Sequence, residues 1–429
     1  MKASETHRTV ETVYRMERAR LIAGLAAMLR DIGLAEELAQ DALVSALAIW
    51  PKSGVPAKPG AWLMATAKRR AIDLFRRRRM MERKHSEIER ELESEHIDAV
   101  AEIEARMDND IGDERLSLIF TACHPVLSTD ARVALTLRLI GGLTTGEIAR
   151  AFLTSEQTIA QRIVRAKKTL GNSGVGYEVP RGSEREPRLG SVLEVIYLIF
   201  NEGYAASAGD HAIRPQLCHE AMRLGRILAA LMSDEPEVHG LLALMEIQAS
   251  RFAARTAADG TPIPLTHQNR ARWDRLLIQR GLANLERAVS LGGMNGVYVL
   301  QAALAACHAR AMHYEDTDWN QIAKLYDSLL ATWPSPIVAL NRAIAHSMAN
   351  GPEAGLALLA ELEDETSLEE YAPFHAARGD FLQRAGRRAE ARTAFQRAAA
   401  LSGNAQEKAF LSARAAEATD APTVSSPRQ

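Results

Sequence analysis

Apolar residues recur at helical spacing along almost the whole chain, and the period-two alternation that marks strands is nearly absent. Over Ala35–Trp50 the residues Leu38, Ala42, Leu43, Ala46, Leu47 and Trp50 form one stripe, with Glu36, Glu37, Gln40 and Asp41 largely outside it. Pro59-Gly60 then breaks the chain. The helix expected after it sets Trp62, Leu63, Ala67, Ile72 and Leu74 among basic residues. Farther on, Val133, Leu137 and Ile140 end at Gly141-Gly142. Thr144 has the residue type of a helix N-cap, and Glu147 that of its capping-box partner. Ile148, Ala149 and Phe152 make the inner face of a short helix, and Leu153-Thr154-Ser155 makes a turn. In the next helix Ile159, Ile163, Ala166 and Leu170 fall on one inward stripe. The pattern predicts an all-α protein.

Punctuation divides the chain into zones. Residues 5–79 form a helical unit ending in a basic run, and residues 80–112 form an acidic connector with too few large apolar residues for a core. Residues 113–171 are a compact helical unit, stopped by Gly171-Asn172-Ser173-Gly174. A Gly/Pro/Arg-rich linker carries the chain to Gly190. Residues 191–416 read as one helical array, and residues 417–429 as a disordered tail. Within the array, Arg378-Gly379, Leu382, Gly386, Ala391, Phe395 and Ala398 have tetratricopeptide spacing. Asn341, Ala343, Gly351 and Leu356 repeat part of it 35 residues earlier, and Trp319–Pro334 resembles half of another repeat. Stacking of such units creates a concave surface.

Composition narrows the chemistry. The net charge is −2, so any nucleic-acid contact must come from local patches. Cys123, Cys218 and Cys307 share no metal or redox spacing, which fits a reducing cytoplasm. The N-terminus is too charged for a signal peptide. The longest apolar run, Val192–Phe200, is short and interrupted by Glu194, so a cytoplasmic protein without a membrane partner is expected. Glu202, His211, His219, Glu220 and His239 lack metal-motif spacing, and neither a Gly-rich phosphate loop nor a nucleophile elbow occurs. No enzyme, metal or cofactor is expected.

The chemistry that remains is DNA reading. In the second helix of the helix-turn-helix, Gln157, Gln161, Arg162, Arg165 and Lys168 project away from the buried stripe. Amide and guanidinium groups so placed suit base edges and phosphates. The segment resembles the −35-reading domain of extracytoplasmic-function sigma factors: Gly142-Leu143-Thr144, Glu147-Ile148-Ala149, Ser155, Thr158-Ile159, Arg162-Ile163 and Arg165-Ala166-Lys167 match its signature. The resemblance assigns −35 contacts to Ser155, Gln157, Thr158, Gln161, Arg162, Arg165, Lys167 and Lys168. Ala160 and Gln161 stand where the family commonly has a basic and a small hydroxyl residue, which implies a different −35 preference.

Ala35–Trp50 is similar to the helix by which that family docks on the clamp of the polymerase β′ subunit, so Glu36, Glu37, Gln40 and Asp41 are the expected polymerase contacts. Pro59–Arg78 is similar to the element that opens and captures the −10 region, implying Trp62, Lys68, Arg69, Arg70, Arg76 and Arg77. Trp62 suits a core position better than a melting wedge. Asp73 is placed for an intrahelical salt bridge to Arg76 or Arg77. In the family the acidic connector threads the polymerase RNA channel. The resemblance therefore implies two sigma-type helical domains followed by a helical repeat domain. The expected partners are core RNA polymerase, through β′ clamp and β flap, and promoter DNA.

The phrases Leu198–Tyr204 and Gln268–Asp274 resemble a subgroup of that family with a long tetratricopeptide-like extension. Such an extension is expected to bind a regulatory protein or ligand. The rival reading is a helix-turn-helix activator with a tetratricopeptide signal domain, which would lack the Ala35–Arg79 unit.

Overall fold

A computed structural model describes residues 2–85, 111–152, 154–204, 215–257, 263–402 and 405–418. Most of the acidic connector, His211, Leu153 and the tail from residue 419 lie outside them, with the tether and disorder expected there. The described residues are helical and contain no β-strand. None of their helices is long and apolar enough to cross a membrane. The chain forms two compact units, Met1–Ser233 and Asp234–Gln429.

In the first unit, α1 (Lys2–Leu29), α2 (Ile32–Ser53) and α3 (Pro59–His85) pack together. The Asp31 carboxylate accepts from the Leu34 amide at 3.0 Å and starts α2. Leu38, Ala42, Ala46 and Trp50 are buried as the stripe requires, whereas Leu43 and Leu47 are half-buried. Next come α4 (Ile111–Ala122), α5 (Thr129–Leu139), α6 (Thr145–Ala151) and α7 (Glu156–Asn172), with α4 lying against α1.

The break expected at 171–190 is not where the units divide. Helices α8 (Arg185–Tyr204) and α9 (Pro215–Leu231) pack on each other and on α4, and α8 also on α5, so the start of the extension belongs to the first unit. The apolar run in α8 buries Val192, Leu193, Val195, Ile196, Ile199 and Phe200. Polar side chains fix its position. The Ser191 hydroxyl donates to the Cys123 carbonyl (2.6 Å), and Arg132 reaches both Ser191 (2.5 Å) and Glu194 (2.9 Å). Arg188 donates to the Phe120 carbonyl (3.0 Å) and Arg223 to that of Ile140 (2.8 Å). Before α8, the Tyr177 hydroxyl lies 3.2 Å from the Ala23 carbonyl and 3.1 Å from that of Glu114, and burial pushes its pKa up.

The second unit runs through α10 (Pro236–Ala249), α11 (Arg275–Ser290), α12 (Val297–Arg310), α13 (Trp319–Thr332), α14 (Pro336–Asn350), α15 (Pro352–Ala360), α16 (Thr366–Glu369), α17 (Ala372–Arg384), α18 (Arg388–Leu401) and α19 (Ala405–Glu417). Most helices pack on the next in sequence. Leu382, Ala391, Phe395 and Ala398, singled out by their spacing, share one core. Gly351 and Gly386 both sit in helix–helix turns with positive φ (94° and 78°), a conformation costly for other residues. The Gln268–Asp274 segment acts as a clasp: buried Arg270 donates to the His308 (2.8 Å) and Ala311 (3.0 Å) carbonyls at the end of α12, and to Thr317 (3.1 Å). A cation there satisfies orphan carbonyls and opposes the helix dipole.

Candidate nucleic-acid interface

The helix-turn-helix is α6 and α7. Thr144 accepts from the Glu147 amide (3.1 Å), while Glu147 accepts from the Thr144 amide (2.7 Å), completing the expected capping box. Of the two hydroxyl residues in the turn, Ser155 caps α7, accepting from the Thr158 amide at 3.0 Å. Thr145 donates to Glu156 (2.8 Å) and ties the two helices across the turn. Ile159, Ile163, Ala166 and Leu170 are all buried, so one face of α7 is locked against its neighbours.

The opposite face carries the candidate −35 contacts. Ser155, Gln157, Thr158, Gln161, Arg165 and Lys168 are exposed, and Arg162 and Lys167 are half-buried. Arg162 pairs with Asp130 at 3.1 Å; with 70% of the Asp130 side chain exposed, the pair contributes about 0–1 kcal/mol and yields readily to a phosphate.

On α3, Arg69, Arg76 and Arg77 are exposed, while Trp62, Lys68 and Arg70 are half-buried. Trp62 stacks edge-on against Trp50, with ring centres 5.3 Å apart, and so takes part in the packing of α2 against α3. Arg70 pairs with Asp41 (2.7 Å) and donates to Ser45 (2.8 Å). Two residues assigned from sequence to different partners therefore hold each other.

On α2, Glu37 and Gln40 are exposed and Asp41 is half-buried. Glu36 departs from its expected place on the outer face, for it is only 6% exposed. Arg18 (2.6 Å), Arg138 (2.8 Å) and Lys167 converge on its carboxylate. Burial pushes the Glu36 pKa up, but the charges of Lys167, Arg138 and Arg18 outweigh it and hold the carboxyl below its ordinary value. Arg18 and Arg138 were not candidates. Their partner lies far off in sequence, and no spacing announces such a contact.

Residues 13–80 match the family model for sigma-70 region 2, residues 117–170 that for sigma-70 region 4, and residues 188–289 a family of unknown function (DUF6596). Region 2 ahead of region 4 defines a sigma-70-type transcription initiation factor. The chain is 31% identical over 153 residues to the ECF RNA polymerase sigma factor SigK of Mycobacterium ulcerans, covering 34% of this chain and 76% of that one. It is 42% identical over 383 residues to an uncharacterized protein of Rhizobium meliloti (strain 1021), covering 89% of each. The chain belongs to the ECF RNA polymerase sigma factors. It is an alternative sigma factor, and its sigma domains imply binding to core RNA polymerase and promoter DNA.

Proposed function

We propose that α3 engages the −10 region through Lys68, Arg69, Arg70, Arg76 and Arg77, and that α7 reads the −35 region through Gln157, Gln161, Arg162, Arg165 and Lys168. The observation that carries this reading is the division of α7 into one fully buried stripe and one exposed amide and guanidinium face. Core polymerase docks on α2, where Glu37, Gln40 and Asp41 suit a basic surface of the β′ clamp, while the β flap receives the helix-turn-helix unit. The second unit binds a protein or small ligand through its stacked, tetratricopeptide-like helices and controls sigma activity.

Reconstitution tests the reading. Core polymerase plus this protein is expected to give promoter-specific transcripts, whereas stimulation only of a preformed holoenzyme would establish a helix-turn-helix activator instead. The regulatory role is tested by cutting the chain after Ser233, where the units divide. Unchanged activity and regulation in the shortened protein would overturn it.

A further inference from the structure

We infer that Glu36 is an internal stand-in for DNA phosphate that keeps the free protein closed, masking Lys167, a −35 contact that the family resemblance assigns. The inference rests on the roles proposed above for α2 and α7.

The geometry is that of an anion site already filled. Three cations meet one carboxylate: Arg18 from α1, Arg138 from α5 and Lys167 from the recognition helix. Glu36 and Arg18 are 6% and 7% exposed, so neither is a solvated surface charge that drifted into contact. Arg18 also donates to the Arg138 carbonyl, and Arg138 to that of Leu143 (3.3 Å), which anchors both guanidiniums whatever Lys167 does. Lys167 is the member free to leave: its side chain is 22% exposed, and its stem passes the start of α2 beside Gly33. An ammonium is a point charge that exchanges one oxygen anion for another without a fixed fork geometry. A phosphate of the −35 duplex and the Glu36 carboxylate therefore compete for the same group.

This pair differs in kind from the others at the interface. Asp41 and Arg70 are 48% and 42% exposed at the side chain, and Asp130 is 70% exposed, so those contacts are screened and exchange freely. Among the ion pairs of the described residues at this interface, only the Glu36 cluster is withdrawn from water and joins α2 to α7. Where docking of α2 on polymerase opens the cluster, polymerase docking and phosphate binding by Lys167 favour each other, as linkage between two sites requires.

Amine-reactive footprinting of the free full-length chain is the first test: Lys167 should react several-fold more slowly than exposed Lys168, and the difference should vanish in the holoenzyme before DNA is added. Equal reactivity of the two in the free chain would overturn the proposal. Failure to form a holoenzyme would instead sink the assigned role of α2 while leaving the closed state measured. The second test is binding of a 30-base-pair duplex of mixed sequence by the free protein over a salt series. Glu36→Gln should steepen the log–log slope by about 0.9, the value of one extra phosphate contact. Glu186→Gln, at an exposed position near the start of α8, makes the same charge change and should leave the slope alone. Lys167→Ala should cancel the gain in the Glu36→Gln background. A wild-type slope that falls with Lys167→Ala would mean that Lys167 already holds phosphate, and the stand-in role would be lost.

Discussion

At the scale of single residues, two titratable groups, buried Glu36 and half-buried His308, contribute to how the protein answers acid. Glu36 has a folded-state pKa held below its ordinary value of 4.5, with Arg18, Arg138, Lys167 and Tyr14 around it. A depressed carboxyl pKa contributes stability above the unfolded value, and that contribution is lost as pH falls through the folded one. Glu36→Gln should therefore cost about 1–3 kcal/mol near neutrality. In denaturant titrations the deficit should shrink as pH drops below 4.5. His308 behaves differently. Burial, then Arg251 and Arg270, push its pKa from 6.5 down to about 4, so the ring is neutral in the fold at neutral pH. Protonation of the unfolded chain then favours unfolding as pH falls from 6.5 toward 4. The second unit should lose up to about 3 kcal/mol over that interval. Thermal melts of His308→Phe should show a shallower acid slope. An unaltered slope would assign the acid sensitivity to other groups.

At the scale of elements, the helix-turn-helix was legible and the cluster beside it was not. Thr144, Glu147 and the stripe Ile159–Leu170 follow from local rules, because a capping box and a 3.6-residue period involve only neighbours in sequence. Glu36 lies on the same helix as buried Ala35, but no local rule says that an arginine of α1, another of α5 and a lysine of α7 will reach it. The two stripe positions found half-buried, Leu43 and Leu47, miss for a related reason: which part of an apolar face is covered depends on the partner helix. Thr144→Ala should cost about 1 kcal/mol, seen as a lower denaturant midpoint at unchanged m. Ile159→Ala, at a site with no exposure, should cost about 2–5 kcal/mol. Arg165→Ala and Lys168→Ala leave the packed stripe untouched. Each should lower the salt slope of duplex binding by about 0.9 with the melting temperature unchanged, and a slope equal to wild type would remove that residue from the phosphate contacts.

At the scale of the whole molecule, folding and family boundaries do not coincide. The family of unknown function spans residues 188–289, while the compact units divide between Ser233 and Asp234. Punctuation in the sequence, Gly171 to Gly190, suggests a cut that would strip α8 and α9 from the helix-turn-helix unit. A chain ending at residue 190 leaves the faces of α4 and α5 uncovered and Arg132 without Ser191 and Glu194. It should melt at least several degrees below a chain ending at Ser233, by calorimetry, and aggregate sooner. Equal melting temperatures would show that α8 and α9 add nothing to the unit. The Arg132, Ser191 and Cys123 contact bears on how such proteins are recombined. A chimera that joins a foreign extension at residue 185 must also import a matching face on α4 and α5. One spliced at Asp234 keeps α8 and α9 on their own partners, which puts the grafting point for a foreign extension well downstream of the helix-turn-helix.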